Sequence, residues 1–129
     1  MRNFADIHIH LLCGADDGAE NMAETEANLD AAYADGTRVL CATPHFHPGC
    51  FGDNAAAADE AFTNLKKCAK KYKDLQLFFG NELRYGASCL EWLKSGACRT
   101  VNDSRYVLTD FSETDAAGYI ADSLLKLLN

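Results

Sequence analysis

Apolar residues along the chain fall into short runs typical of buried strands and into longer stretches with helical spacing. The strand-like runs are FADIHIH, TRVLCATP, LQLFFGNEL and RYVLTDF. Helical patterns follow them at residues 21–36, 54–72 and 90–96, and from about Glu113 to the end. In the last of these, Ile120, Leu124, Leu127 and Leu128 share one helical face. This alternation predicts an α/β fold with a parallel sheet and right-handed crossovers.

Local signals set the limits of the first two elements. Asn21 and Glu24 have the spacing of a capping box, and Gly36 stands where a helix commonly stops. Pro44 ends the second strand, since proline cannot donate to a ladder. We therefore expect the first helix to lie between Asn21 and Gly36.

Composition is that of a globular domain. The chain has 129 residues, 48% of them hydrophobic and 24% charged, against the roughly 250 residues of a closed (β/α) barrel. The net charge of −7 argues against nucleic acid or an anionic membrane as partner. The N-terminus lacks a signal-peptide pattern, and no run reaches the roughly 18 apolar residues of a membrane span. These features predict a cytoplasmic protein without membrane insertion.

The cysteines offer little chemistry. There are six, spread along the chain without a CxxC pair, so we expect reduced and mostly buried thiols rather than a disulfide framework. Cys50 and His47 could form a nucleophilic pair, but no third residue is evident to orient the histidine. The sequence also has no P-loop, GxGxxG or GxSxG motif.

Histidines and carboxylates instead gather where the predicted strands end. His8 and His10 close the first strand two positions apart, so their side chains should point to the same side. The other candidates follow a strand or lie in the loop after it: Asp16, Asp17, His45, His47, Glu82 and Asp110. Any one of them alone would more often be a cap or a loop residue. Together, at the edge of the sheet where α/β sites form, imidazoles and carboxylates predict a site for Zn, Mn or Fe.

The motifs also resemble a known family. DIHIHLLCGADDGAENMAETEANLDAAYADGTRVLCATPHFHPG, then GNELRYG and VNDSRYVLTDF, are similar to the bacterial polymerase-and-histidinol-phosphatase (PHP) superfamily. The resemblance is strongest to its manganese-dependent protein-tyrosine phosphatases from capsule and exopolysaccharide gene clusters. It runs from residue 5 to about residue 113 in register.

The resemblance implies a distorted TIM-like (β/α)7 barrel with up to three divalent metals at its mouth, most of all Mn, with Fe or Zn as alternatives. The positions that match family metal ligands are His8, His10, Asp17, His45 and Glu82. Asp110 stands where the family usually carries glutamate, and its shorter side chain retracts the carboxylate by about one methylene. His47 matches a residue that lies beside the ligands or faces the substrate.

Later family segments do not occur in these 129 residues: a histidine in an AHPER-like segment, a C-terminal Asp-x-His pair and the arginines that bind phosphate. We therefore expect residues 1–129 to form a single truncated PHP-type domain of about four βα units, incomplete at the C-terminus, with fewer than three metals. A partial barrel leaves a sheet edge unpaired. We accordingly expect a homo-oligomer or a complementing fragment.

The implied function is a metal-dependent phosphoesterase, specifically a phosphotyrosine-protein phosphatase linked to capsule or exopolysaccharide regulation. A metal-activated water would attack phosphorus, and the substrate would be a phosphotyrosine protein such as a bacterial tyrosine kinase. The alternative is a non-catalytic, degenerate half-barrel with a role in metal binding or assembly. A third hypothesis, a flavodoxin-like binding domain, lacks a phosphate-binding loop and does not explain the histidine clustering.

Overall fold

The computed structural model describes residues 3–128 and confirms a mixed α/β fold with parallel strands. The strands are β1 (Phe4–Ile9), β2 (Thr37–Ala42), β3 (His45–Phe46), β4 (Gln76–Phe79), β5 (Glu82–Arg84) and β6 (Leu108–Asp110). The helices are α1 (Met22–Ala34), α2 (Pro48–Phe51), α3 (Ala55–Cys68), α4 (Cys89–Ser95) and α5 (Ala117–Leu128). Two 3-10 turns lie at Ala69–Lys71 and Val101–Asp103.

The single sheet expected from the sequence is divided in two. One sheet has the order β1-β2-β4 and the other the order β3-β5-β6, with all pairs parallel. The second predicted strand ends at Ala42, and β3 begins only after Pro44, which has no N–H to give to a ladder. The third predicted strand breaks at Gly80 and Asn81, between β4 and β5. Hydrogen bonds cross the break: the Glu82 N–H donates to the Pro44 carbonyl oxygen at 3.0 Å. The second sheet therefore continues from the carboxyl end of the first.

Gly80 lies at the second break, and its position has a steric reason. Its N–H donates to the Ala42 carbonyl oxygen at 3.0 Å, which ties the break to β2. A Cβ there would lie 3.1 Å from the carbonyl oxygen of Thr100 and 3.2 Å from the Cα of Val101. A glycine therefore lets the chain before the second 3-10 turn pack closely against the end of β4.

Helix limits follow the local signals with two differences. The Asn21 side chain accepts a hydrogen bond from the Glu24 N–H at 3.0 Å, as expected of the cap. The Glu24 carboxylate bonds the N–H of Glu20 rather than that of Asn21, so the reciprocal half of the box is shifted by one residue. The last helix begins at Ala117 rather than near Glu113, because Ser112 and Asp115 form a turn before it.

The core lies in two clusters. The larger one joins the first sheet to α1 and α3 through Leu11, Leu12, Leu29, Leu40 and Leu65, each at most 1% exposed. The smaller one packs Leu83, Cys89 and Cys98 beneath Phe46 and Trp92.

The cysteines are free, as predicted, and five of the six are at least partly buried. Burial raises the pKa of the Cys98 thiol to about 12, so this cysteine stays protonated. None of the described helices is both long and apolar enough to cross a lipid bilayer.

Candidate metal centre

The break in the sheet places three imidazoles and a carboxylate at the carboxyl end of the first sheet. His10 directly follows β1, His45 begins β3, and Glu82 begins β5. The register pairs His45 with Glu82 on neighbouring strands. Parallel pairing therefore brings side chains that are 37 residues apart in sequence to one point, as sequence reasoning expected of this edge.

One group with metal-ligand spacing consists of His8, His10 and Glu82. The two Nε2 atoms of the histidines lie 3.2 Å apart. His8 Nε2 lies 3.3 Å from Glu82 Oε1, and His10 Nε2 lies 3.1 Å from Glu82 Oε2. The carboxylate side chain is 10% exposed, whereas that of His8 is 45% exposed. The group is thus buried on the glutamate side and open on the side of His8.

His10 is held in place by Asp16, a candidate of the sequence analysis whose position did not match a metal ligand of the family. Asp16 Oδ2 lies 2.7 Å from His10 Nδ1, and the Asp16 side chain is 0% exposed. The same oxygen accepts from the His45 N–H at 2.7 Å, and Oδ1 accepts from the Gly18 N–H at 3.0 Å. Because Nδ1 donates to Asp16, the neutral ring of His10 has its free lone pair on Nε2, the nitrogen that lies beside Glu82.

This contact shifts both groups toward their charged forms. The hydrogen bond to Asp16 raises the pKa of His10, against an opposing effect of burial. Burial by itself would raise the pKa of Asp16, but the hydrogen bonds from His10, His45 and Gly18 outweigh it and hold that pKa below the ordinary value. Asp16 is therefore an anion that orients its neighbours.

Gly18 completes this loop through close packing. A Cβ on it would lie 2.4 Å from the carbonyl oxygen and 2.6 Å from the Cβ of His10. The DDG sequence thus combines a carboxylate that positions His10 with a glycine that lets the loop touch the end of β1. No larger residue fits without moving His10.

We expect Gly18→Ala to lower the free energy of unfolding by about 1–3 kcal/mol, because the added methyl group displaces the loop or the end of β1. Urea unfolding of the metal-free protein measures this loss. The matched control is Gly86→Ala, where a Cβ would meet no atom within 4 Å. Equal stability of the two variants would contradict the close packing of Gly18 on His10.

Two further groups share His45. Its Nε2 lies 3.4 Å from Asp17 Oδ1, and its Nδ1 lies 3.0 Å from Glu82 Oε2. A neutral imidazole has one nitrogen with a free lone pair, so His45 can bind a metal on one of these sides. Asp17 is largely exposed, with 68% of its side chain accessible. His45 therefore connects the buried group to a more open one beside Asp17.

Asp110 lies in the third group, with His45 and Glu82. Its Oδ2 also accepts a hydrogen bond from Arg84 Nη1 at 2.6 Å. Arg84, two residues after Glu82 on β5, therefore supplies a fixed positive charge beside this carboxylate. Asp110, a metal-ligand candidate from the sequence, is thus present at the site, but its carboxylate already pairs with the Arg84 guanidinium.

His47 lies apart from these groups. Among residues 3–128, the sets of side chains with metal-ligand spacing do not include it. Its ring contacts Phe51 edge to face at a centroid distance of 6.5 Å, and Phe51 in turn stacks on His45 at 5.2 Å. Phe51, on α2, thus covers one face of the His45 ring and also contacts the ring of His47.

A divalent metal fits the His8, His10 and Glu82 group on two observations. Glu82 Oε2 is a buried oxygen that makes no hydrogen bond within the described residues, although two imidazole nitrogens lie 3.0 and 3.1 Å away. Ligand atoms about 2.1 Å from one ion lie about 3.0–3.4 Å from each other. The observed separations of 3.1–3.3 Å within the group match that spacing.

Sequence reasoning placed six metal candidates here, and the structure brings all of them into overlapping groups: His8, His10, Asp17, His45, Glu82 and Asp110. It missed the roles of Asp16, Arg84 and Phe51. The Asp-x-Gly spacing of Asp16 and Gly18 was a usable signal, because it is typical of a side chain that accepts from the N–H two residues on. Nothing in the sequence pairs Arg84 with Asp110.

Comparisons with known proteins agree with this architecture. The family model described as capsular polysaccharide synthesis, CpsB/CapC, matches residues 4–129. The tyrosine-protein phosphatase CpsB of Streptococcus pneumoniae is 35% identical over 124 residues, which cover 95% of this chain and 51% of that protein. The tyrosine-protein phosphatase YwqE of Bacillus subtilis is 34% identical over 107 residues, covering 82% of this chain and 42% of that protein.

A solved structure of these proteins has the same fold. It is described as showing YwqE from Bacillus subtilis and CpsB from Streptococcus pneumoniae, unique metal-dependent tyrosine phosphatases. The TM-score is 0.84 at 30% identity, and the match covers 97% of this chain and 51% of that one. The chain therefore spans about half the length of the relatives that it matches.

Proposed function

Because the chain belongs to the CpsB/CapC family of capsular polysaccharide synthesis proteins, we propose that it is the metal-binding half of a phosphotyrosine-protein phosphatase. Its named relatives are tyrosine-protein phosphatases, and the solved relative is described as metal-dependent. The observation that carries the proposal is the buried Glu82 oxygen, which faces two imidazole nitrogens and makes no hydrogen bond. A buried polar atom without a hydrogen bond is costly unless a ligand completes its contacts.

The residues assigned to metal binding are the six found at the sheet edge. His8, His10 and Glu82 would hold the first ion, with Glu82 also facing His45. Asp17 and Asp110 extend the ligand set on either side of His45. Imidazole and carboxylate ligands suit Mn as the metal, with Fe or Zn as alternatives, and the Arg84 contact of Asp110 favours fewer than three ions.

The chemistry divides between the metal and the chain. A divalent ion supplies the positive charge that stabilises a phosphoryl group under attack by water. Asp16 fixes the ring of His10 and keeps its Nε2 available, and Phe51 restrains the His45 ring by stacking. Arg84, with its side chain 29% exposed beside the cluster, adds a guanidinium that can attract an anionic substrate to this edge.

We further propose that residues 1–129 form a single truncated PHP-type domain with the fold of a partial TIM-like barrel. Its two sheets would together supply four consecutive barrel strands: β1, β2 continued by β3, β4 continued by β5, and β6. The substrate would be a phosphotyrosine protein, such as a bacterial tyrosine kinase. The location would be cytoplasmic, where cysteines without disulfide partners stay reduced. The chain matches about half the length of these relatives, so the remaining part of the site would come from outside residues 1–129, for example from a second copy or a complementing fragment.

Turnover of p-nitrophenyl phosphate and of a phosphotyrosine peptide with added Mn²⁺ tests the proposal. We expect hydrolysis that depends on the metal and falls at least about tenfold in His10→Ala, since this change removes a ligand. His47→Ala, at a half-buried histidine outside the ligand set, serves as a comparison. A rate equal to that of His10→Ala would exclude catalysis by this chain and favour a non-catalytic, metal-binding half-barrel.

A further inference from the structure

An aromatic side chain lies beside the metal centre without belonging to the hydrophobic core. Among residues 3–128, neither of the two core clusters includes Phe51. Its aromatic neighbours are instead the imidazoles of His45 and His47, at centroid distances of 5.2 and 6.5 Å. Packing of the core therefore does not explain why a phenyl ring stands at this position.

The backbone of α2 directs this ring onto the site. The three residues that precede Phe51 on α2 are exposed, whereas Phe51 itself is partly buried. The N–H groups of Cys50 and Phe51 both donate to the His47 carbonyl oxygen at 2.9 Å, which fixes the turn against the end of β3. Gly52 follows with a φ of 63°, a conformation that glycine adopts without strain, and the chain turns away there. A short exposed turn thus places one aromatic ring on His45.

The orientation of the two rings places Phe51 beside any ion that His45 binds. The lone pair of an imidazole nitrogen lies in the plane of the ring, so an ion bound by His45 lies in that plane as well. The Phe51 ring is stacked on His45 with an angle of 9° between the two planes, and it therefore lies to one side of the ion. A group carried by a ligand of that ion and projecting to this side meets the phenyl ring.

This part of the metal centre is open to a ligand. The side chain of His45 is 20% exposed, and that of Asp17, which lies 3.4 Å from His45 Nε2, is 68% exposed. The ion-binding groups on the Glu82 side are more buried, since the Glu82 side chain is 10% exposed. A phosphoryl group can therefore reach the cluster from the side of Asp17 and His45.

An aryl phosphate gains more from a phenyl ring at this point than an alkyl phosphate does. In phosphotyrosine, one ester oxygen separates phosphorus from an aromatic ring, whereas phosphoserine carries a single methylene there. Aromatic rings attract each other at centroid distances of roughly 4.5–7 Å, in addition to the effect of the apolar area that they bury. Contact with one ring is expected to favour the aryl compound by about tenfold.

We infer that Phe51 is the residue that makes this site select aryl phosphates over alkyl phosphates. The phosphoryl group lies at the metal centre, and the ring of phosphotyrosine packs against Phe51. The inference rests on the proposed phosphatase function and adds to it the contact that recognises the tyrosine side chain.

Calorimetric titration of the Mn²⁺-saturated chain with phenylphosphonate and with methylphosphonate tests this role. The two probes share one anionic group, differ in the aryl or alkyl substituent and are not hydrolysed, so the test does not require turnover. We expect the wild type to bind phenylphosphonate about tenfold more tightly than methylphosphonate. Phe51→Ala should reduce this ratio to within about twofold of one, and Phe51→Tyr, which keeps an aromatic ring, should preserve it.

The matched control is Phe4→Ala, the same change at a phenylalanine that is 48% exposed and begins β1, at the opposite end of that strand from the metal cluster. It should leave the ratio of the two affinities unchanged. Phe51→Leu provides a second variant in case Phe51→Ala fails to fold, because it keeps an apolar side chain of similar size. Its ratio should fall below that of the wild type.

A wild type that binds both phosphonates equally, or binds neither while Mn²⁺ is bound, would overturn the inference. A Phe51 that only restrains His45 would give variants in which both phosphonates weaken by the same factor, and an unchanged ratio would overturn it too. The metal titration that precedes each experiment separates these outcomes from failure of the proposed function, which would appear as the absence of Mn²⁺ binding and would remove the basis of the inference as well.

Discussion

Replacing Glu82 by glutamine is expected to separate metal affinity from stability. The variant should bind Mn²⁺ at least about a hundredfold more weakly, because a neutral amide replaces the anionic ligand that faces three imidazoles. The metal-free protein should keep or gain stability, because Glu82 Oε2 is buried without a hydrogen bond and the amide removes a desolvated charge. Calorimetric titration with Mn²⁺ and urea unfolding in EDTA measure the two effects.

The control is Glu91→Gln, which removes one negative charge from the exposed surface of α4. It should change neither the free energy of Mn²⁺ binding nor the unfolding free energy by more than about 0.5 kcal/mol. If Glu82→Gln destabilised the metal-free chain while leaving Mn²⁺ affinity intact, Glu82 would be a structural residue that pairs with protonated histidines. In that case the metal assignment would be wrong.

Replacing Asp16 by asparagine is expected to lower both the affinity for Mn²⁺ and the unfolding free energy of the metal-free protein. The carboxylate accepts from the backbone N–H groups of His45 and Gly18 and from the His10 ring, and an amide has only one oxygen to accept with. Its NH2 group would face a donor, which should cost about 1–3 kcal/mol of unfolding free energy. Loss of the contact that orients His10 should weaken Mn²⁺ binding by about 10- to 100-fold.

Asp17→Asn is the matched comparison, because it makes the same chemical change in the adjacent residue. Asp17 is largely exposed, so its variant should stay within about 0.5 kcal/mol of the wild type while binding Mn²⁺ more weakly. Equal loss of stability in the two variants would contradict the claim that Asp16 orients His10 through buried hydrogen bonds while Asp17 faces a metal.

Much of the fold was predictable because the local signals agree with the final structure. Apolar runs bounded by Gly and Pro placed the strands, and the Asn21 cap placed α1. Pro44 predicted the end of the second strand, but the division of the sheet was not predictable, because the residues after Pro44 do not by themselves specify a second short strand. This division is set by the hydrogen bonds that cross to Ile9 and to Glu82, which are distant in sequence.

The candidate site shows the same limit. Side-chain alternation indicated that His8 and His10 point together, and strand ends indicated that His45 and Glu82 join them. The contact of Arg84 with Asp110 joins β5 to β6 and depends on their register, which sequence does not specify. The role of Asp16 depends on how the loop folds back onto β1, and this requires the close approach that Gly18 permits.

The claim that this sheet edge is a metal centre is tested most directly by Mn²⁺ titration of the EDTA-stripped chain, followed by electron paramagnetic resonance of the free ion. The account predicts saturable binding of at least about one ion per chain, weakened at least about a hundredfold in His10→Ala. No saturable binding, or equal affinity in the wild type and His10→Ala, would contradict it.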